Sequence, residues 1–294
     1  MSSFVSPGIA VALAAAVLWG VYLFSIKRYL AGVPATVLTV AVNACALAWY
    51  APVAVTQLSA ADVPDPAGLG VGGVLALVGS VLGVAAGYVF VVNALALGEV
   101  SYVTPINKVV PVFVLPLEVA LLGADIPVLA VAGIAVVTVA VYAANYRGGD
   151  PVEPLRRAVT ARPAQLALVS AVAYAVGDVS KRAALDRVGL PPEALVVLVL
   201  AGVLLVLLPL AVRDWPAEVP PATTFLALGL VVAGAEHLTS VAFAALPASI
   251  ASPVVNTQAI VAVLLGGVVL GEERLGARLV AAGLAVVGVG LLAV

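Results

Sequence analysis

Apolar runs long enough to cross a lipid bilayer follow one another along this chain almost without relief, and that pattern decides what it can fold into. The longest polar stretch is RGGDPVEPLRRAVTAR, at 147–162. A helix needs about 20 apolar residues to span the hydrocarbon core. On that measure, spans fall near 8–30, 34–57, 68–97, 101–122 and 126–146. Five more fall near 163–183, 192–213, 221–246, 249–271 and 274–294. Proline, glycine and scattered charges sit at the joints, where helices end. Composition agrees: 10% of the 294 residues are charged, against roughly 25% in a soluble domain. The expected fold is an all-α integral membrane protein of ten transmembrane helices.

The two sets of five spans echo each other. Lys27-Arg28 ends the first span and Lys181-Arg182 the sixth, while Pro52 in the second matches Pro209 in the seventh. An offset of 148 carries Ser101, Thr104, Pro105 and Lys108 onto Ser249, Ser252, Pro253 and Asn256. Such duplication outranks local motifs in deciding a fold. Because five is odd, the second copy enters the membrane upside down. The expected architecture is two inverted five-helix repeats around a central cavity, residues 1–146 and 163–294, joined by a linker at 147–162 into one transport unit. Inverted repeats of this kind typify secondary transporters, with the site near the midplane.

Charges buried in such a chain point to that site, since one at a helix centre costs roughly 2.5–3.5 kcal/mol on insertion scales. Lys108 lies inside span four. Ser101, Thr104 and Lys108 are spaced to share one helix face, and Ser249, Ser252 and Asn256 make the matching stripe on span nine. Pro105 and Pro253 free a backbone carbonyl one turn earlier and leave a polar notch in each. Glu236 and His237 fall mid-way along span eight, Ser240 one turn beyond, and Tyr88 takes the place of Glu236 in span three. Lys108 and Glu236 are expected to face the cavity, paired directly or through substrate; a purely structural contact is the alternative. Lys27 and Lys181 read either as coupling residues or as interfacial anchors. Asp178, one turn before Arg182, reads as its neutraliser, and Glu118 as reaching the interface. Gly79, Gly83 and Gly87 form a small-residue stripe for close helix packing, within the chain or in a homodimer.

Other functions are poorly served. One cysteine and one histidine rule out a disulfide framework and most protein-built metal sites, and nothing calls for a cofactor. A net charge of −2 without a long basic run argues against nucleic acid. The first span lacks a basic n-region and a clear cleavage site, so it reads as a true span. There is no phosphate-binding G-x-x-x-x-G-K-[ST] loop, so an ion gradient, with protons as one candidate, or exchange must supply the energy. An intramembrane enzyme would need more than one histidine beside Glu236.

Several motifs together resemble a known family. They are Leu18-Trp19-Gly20 and Lys27 in span one, the Ser249-x-x-Ser252-Pro253 start of span nine, and the C-terminal VVLGEERLGARLVAAGLAVVGVGLLAV. In these the chain resembles EamA-type members of the drug/metabolite transporter superfamily. The first repeat departs from the pattern, with Leu122-Gly123-Ala124-Asp125 where a glutamate would follow the glycine. The resemblance implies a cell-membrane exporter of a small molecule such as an amino acid, organic anion or drug-like compound. A lipid-carrier flippase is the alternative within such folds. It also implies cytoplasmic termini, whereas the charge count does not. Lys27, Arg28, Arg147, Arg156, Arg157, Arg162, Arg213, Arg274 and Arg278 face away from the termini, against Lys181, Arg182 and Arg187 on their side, which the positive-inside rule reads the other way.

Overall fold

A computed structural model of the chain describes residues 6–30, 32–62, 64–65, 68–97, 103, 106–145, 149–152, 156, 160–270 and isolated positions between 280 and 291. The described residues are helical, without strands. The helices are α1 (Pro7–Tyr29), α2 (Ala35–Gln57), α3 (Gly70–Leu97), α4 (Val110–Leu122) and α5 (Val128–Asn145) in the first half. The second half holds α6 (Arg162–Asp186), α7 (Pro192–Arg213), α8 (Ala222–Ala245), α9 (Ala248–Asn256) and α10 (Gln258–Leu270). Among the described residues, six stretches are long and apolar enough to cross a membrane: α1, α2, α3, α7, α8, and α9 running on into α10. Helices α4 and α5 are shorter but apolar, and α6 is 25 residues long but carries Asp178, Lys181 and Arg182. The expected tenth span, 274–294, falls almost wholly outside the described residues.

Two expected spans are not single helices. Span four has helical residues at 106–107, a turn at 108–109, and regular helix only from Val110. Span nine breaks at Thr257, between α9 and α10. The breaks coincide under the offset of 148. The Val109 and Val112 amides bond to the Ile106 and Val109 carbonyls at 3.3 and 3.0 Å. Thr257 and Ile260 repeat this on Val254 and Thr257 at 3.1 and 2.8 Å. Their chemical causes differ. In span four Pro111 falls in the first turn of α4, where its missing N–H is tolerated and where proline favours a helix start. In span nine the Thr257 hydroxyl donates to the Val254 carbonyl at 2.6 Å, four residues after Pro253.

Packing between the halves is reciprocal. Helix α3 lies along α6, and α1 along α8; each pair joins the first span of one half to the third of the other. Helix α2 faces α7, α4 meets α9, and the contacts of α4 with α6 are mirrored by those of α1 with α9 and α10. Both first-to-third pairs run antiparallel: Gly83 abuts Gly177 and Gly87 abuts Tyr174, while Gly8 meets Leu246 and Gly234 meets Leu18. The cores fill these seams, with Val37, Ala175, Val199, Leu207 and Phe243 buried in the largest. Outward faces remain apolar, as at Val55, Leu75, Leu121, Val139, Leu205 and Leu230, which suits lipid rather than water.

The stripe Gly79, Gly83, Gly87 faces α6 within the chain. A Cβ at Gly83 would lie 2.5 Å from the Gly177 backbone nitrogen, one at Gly87 would strike the Tyr174 ring at 2.8 Å, and one at Gly79 would overlap Ser180. Gly20, of the Leu-Trp-Gly motif, is similarly closed off by Val261 at 2.5 Å. Backbone cannot yield as a side chain can. Gly83→Ala should therefore lower stability by about 1–3 kcal/mol, the range for overpacking. Gly72→Ala, on the same helix with open space around it, should be neutral or stabilising by up to about 1 kcal/mol. Thermal unfolding in detergent checks both.

Candidate transport site

The ion pair of this protein is not the expected one. Glu236 pairs with Lys181, Nζ to Oε1 at 2.5 Å, both side chains 5% exposed; it does not pair with Lys108. Helices α6 and α8 belong to the same half and touch, which puts the lysine at the end of span six within reach. An interfacial-anchor role for Lys181 is overturned by its burial. Taking both charges out of water costs several kcal/mol per ion, and only tight geometry repays it.

Asp178 extends the pair into a network. It lies in the field of both Lys181 and Glu236, and its Oδ2 accepts the Ser252 hydroxyl at 2.5 Å. Asn256 Nδ2 donates to the Ser252 carbonyl at 2.9 Å and approaches its hydroxyl at 3.4 Å. Five polar side chains from α6, α8 and α9 thus form one connected set. Asp178 does not neutralise Arg182. The guanidinium instead donates to the Phe243 and Ala244 carbonyls, each at 2.9 Å, at the end of α8 where carbonyls lack helical partners, and to Asp186 at 3.3 Å.

The other expected residues scatter around this set. Among the described residues Lys108 has no hydrogen-bond or ionic partner; it lies deep in the bundle yet keeps accessible surface, as Asp178 and Tyr174 do. Tyr22, Tyr88 and Tyr174 come near one another from α1, α3 and α6, and the Tyr88 hydroxyl donates to the Ala35 carbonyl. His237 turns away from the pair and shares a 2.8 Å hydrogen bond with the Tyr50 hydroxyl. The Ser240 and Ser249 hydroxyls are buried without a partner among the described residues. Pro253 is buried within α9. Ser101, Thr104, Pro105 and the Lys27 side chain lie outside the described residues.

Two features were not legible beforehand. Glu118 does not reach the interface: it is 1% exposed, and its two carboxylate oxygens accept the Ala248 and Ser249 amides at 2.5 and 2.7 Å. It caps the first turn of α9, where helix N–H groups are unsatisfied and the dipole favours an anion. The offset of 148 puts Gly266 opposite it, so the cap is one-sided. Asn107 donates to Ser170 at 2.8 Å, which donates to the Gly87 carbonyl at 2.5 Å, tying the turn in span four to α6 and α3. A cavity of about 600 Å³ lies apart from this network, between the starts of α3 and the ends of α4 and α6, lined by Asp65, Gly72, Gly73, Leu122, Ser180 and Arg187 among others.

Removing one partner of a buried pair strands the other charge. Lys181→Met should destabilise by about 3–5 kcal/mol, and adding Glu236→Leu should recover most of that loss. Glu118→Ala should cost about 1–3 kcal/mol by leaving two buried amides unpaired, with Glu118→Gln, which still offers one acceptor, losing less. Unfolding curves of the single and double variants measure each.

Comparison with known proteins supplies the context for this geometry. A search of curated proteins returns no match. Among solved structures, 26 chains match; one crystal structure, titled only as that of a protein, aligns with a TM-score of 0.78 at 16% identity, covering 97% of this chain and 95% of that one. That likeness shows a shared fold. The EamA-like transporter family matches twice, over residues 6–146 and 162–294, one match for each half. Two copies of the family's unit account for nearly the whole sequence, and this multi-pass membrane chain belongs to the EamA-like transporter family.

Proposed function

We propose that this protein is a secondary transporter that moves a small metabolite across the cell membrane, outward, by alternating access between two inverted repeats. The observation that carries this reading is the matched break in spans four and nine, one in each half, beside a buried polar network. Broken helices at a repeat interface are where transporters place their sites. The reciprocal, antiparallel packing of α3 with α6 and α1 with α8 supports the inversion, with 1–146 and 163–294 as the moving halves and 147–162 joining them. In this mechanism the halves rock about the buried polar network. Lys181, Glu236 and Asp178 form the coupling group, because one lysine paired with Glu236 beside a second carboxylate can exchange partners as a proton or substrate arrives.

One observation favours a second reading, flipping of a lipid carrier: the 600 Å³ cavity is lined by glycines and apolar side chains such as Gly72, Gly73, Leu75 and Leu121, together with Asp65 and Arg187.

Purified protein in liposomes, offered a metabolite panel with and without a pH gradient, separates the readings. Saturable solute movement is expected, and Glu236→Gln should reduce it at least about tenfold, the effect of some 1.4 kcal/mol. Movement no faster than in protein-free liposomes sinks the transporter reading; lipid scrambling in its place would favour the flippase.

A further inference from the structure

The cavity of about 600 Å³ has a composition that the transport step does not use. Its walls come from the start of α3, the ends of α4 and α6, and the loop that leads into α3. Two wall residues, Leu75 and Leu121, are 64% and 60% exposed and belong to the outer apolar face of the bundle. The cavity thus opens sideways, onto the surface that meets acyl chains. Its volume is that of a ligand site, for which roughly 300–1,000 Å³ is usual.

Helix ends fix its depth in the membrane. Helix α3 begins at Gly70 and α6 ends at Asp186, so Asp65 and Arg187, just beyond these ends, lie where hydrocarbon gives way to headgroups. Both line the cavity and both are exposed. Below them the wall is open. Gly72 and Gly73 contribute no side chain, and a Cβ added at Gly72 would meet nothing within 4 Å. One mouth therefore carries a cation and an anion at headgroup level, above an apolar wall that faces lipid.

That arrangement selects its occupant by charge and shape. A guanidinium can bond two phosphate oxygens at once. A carboxylate suits an ammonium group that still has N–H donors, and a quaternary ammonium has none. A purely anionic headgroup would bring like charge against Asp65. We infer that the cavity holds one phospholipid with a zwitterionic, primary-amine headgroup. Its phosphate lies on Arg187, its ammonium on Asp65, and one acyl chain runs along Leu75 and Leu121. The lipid is resident and not cargo, so the inference rests on neither reading of the function given above.

Native mass spectrometry of the purified, delipidated protein tests this. Phosphatidylethanolamine, phosphatidylcholine and phosphatidylglycerol with identical chains are titrated in turn. One phosphatidylethanolamine should bind saturably, at least about tenfold more tightly than either of the others. Arg187→Gln should weaken it at least about tenfold, and Asp65→Asn should erase the preference over phosphatidylcholine. Gly72→Leu, which fills the cavity, should remove the bound lipid while leaving Tm in lipid-free detergent unchanged, so the loss cannot be ascribed to unfolding. The inference is overturned if no phospholipid binds saturably, if phosphatidylglycerol binds as tightly, or if Gly72→Leu leaves binding intact. Displacement of the lipid by a soluble zwitterion such as leucine would also overturn it and make the cavity a solute site. Scrambling of lipid in liposomes without headgroup-selective binding would overturn it too, in favour of the flippase.

Discussion

Inside a bilayer a helix can stop only where the protein itself satisfies the backbone groups that the stop releases. That constraint organises this molecule. Span nine starts within the fold because Glu118, from the other half, supplies two acceptors for its first amides. Helix α8 ends where Arg182 takes its last carbonyls. At both mid-span breaks the chain tightens into three-residue turns instead of leaving groups open. The two helix ends each draw on a neighbouring helix, Glu118 from the other half and Arg182 from the same one, so helix termination and packing are one arrangement. Neither would persist without the other.

The same constraint explains how the two halves keep a common shape with different residues. The turn in span four is followed by Pro111 in the first turn of the next helix, and the turn in span nine is closed by the hydroxyl of Thr257. Glycines that let α3 approach α6 to backbone contact have a looser counterpart in α1 against α8, where Gly8 and Gly234 meet leucines. Ionic chemistry has gathered in the second half, with Asp178, Lys181 and Glu236, while Tyr88 stands where the glutamate would be. The scaffold is duplicated, and the chemistry placed on it is not.

How much of this was legible in the sequence follows from what kind of interaction was involved. The helical membrane architecture and the duplication rest on runs of twenty residues and on an offset repeated many times, both of which survive errors at single positions. The broken spans were only half legible: prolines announced a notch, but the turns fell a few residues further on, where Pro111 and Thr257 act. Partnerships were not legible. As charges within spans, Glu236 and Lys108 read as partners; the choice of Lys181 depends on which helices touch, and spacing along one chain holds no such information. Glu118 was read as peripheral because its position near the end of a span suggested water, whereas the amides of α9 had already taken that place. Asp178 was assigned to Arg182 by helical spacing, and a serine on another helix competed successfully.

Trp19 and Trp49 each fasten a helix of the first half to α8 in the second. The Trp19 indole donates to Thr239 at 3.0 Å and stacks edge-on against Tyr22; the Trp49 indole donates to the Leu226 carbonyl at 2.9 Å. The chain has three tryptophans, so two of its three strongest natural fluorophores straddle the seam between the repeats. Any sliding of α8 against α1 and α2 changes what those indoles are bonded to, and with it the colour and yield of their emission. The unlabelled protein thereby carries an optical gauge of its own internal motion.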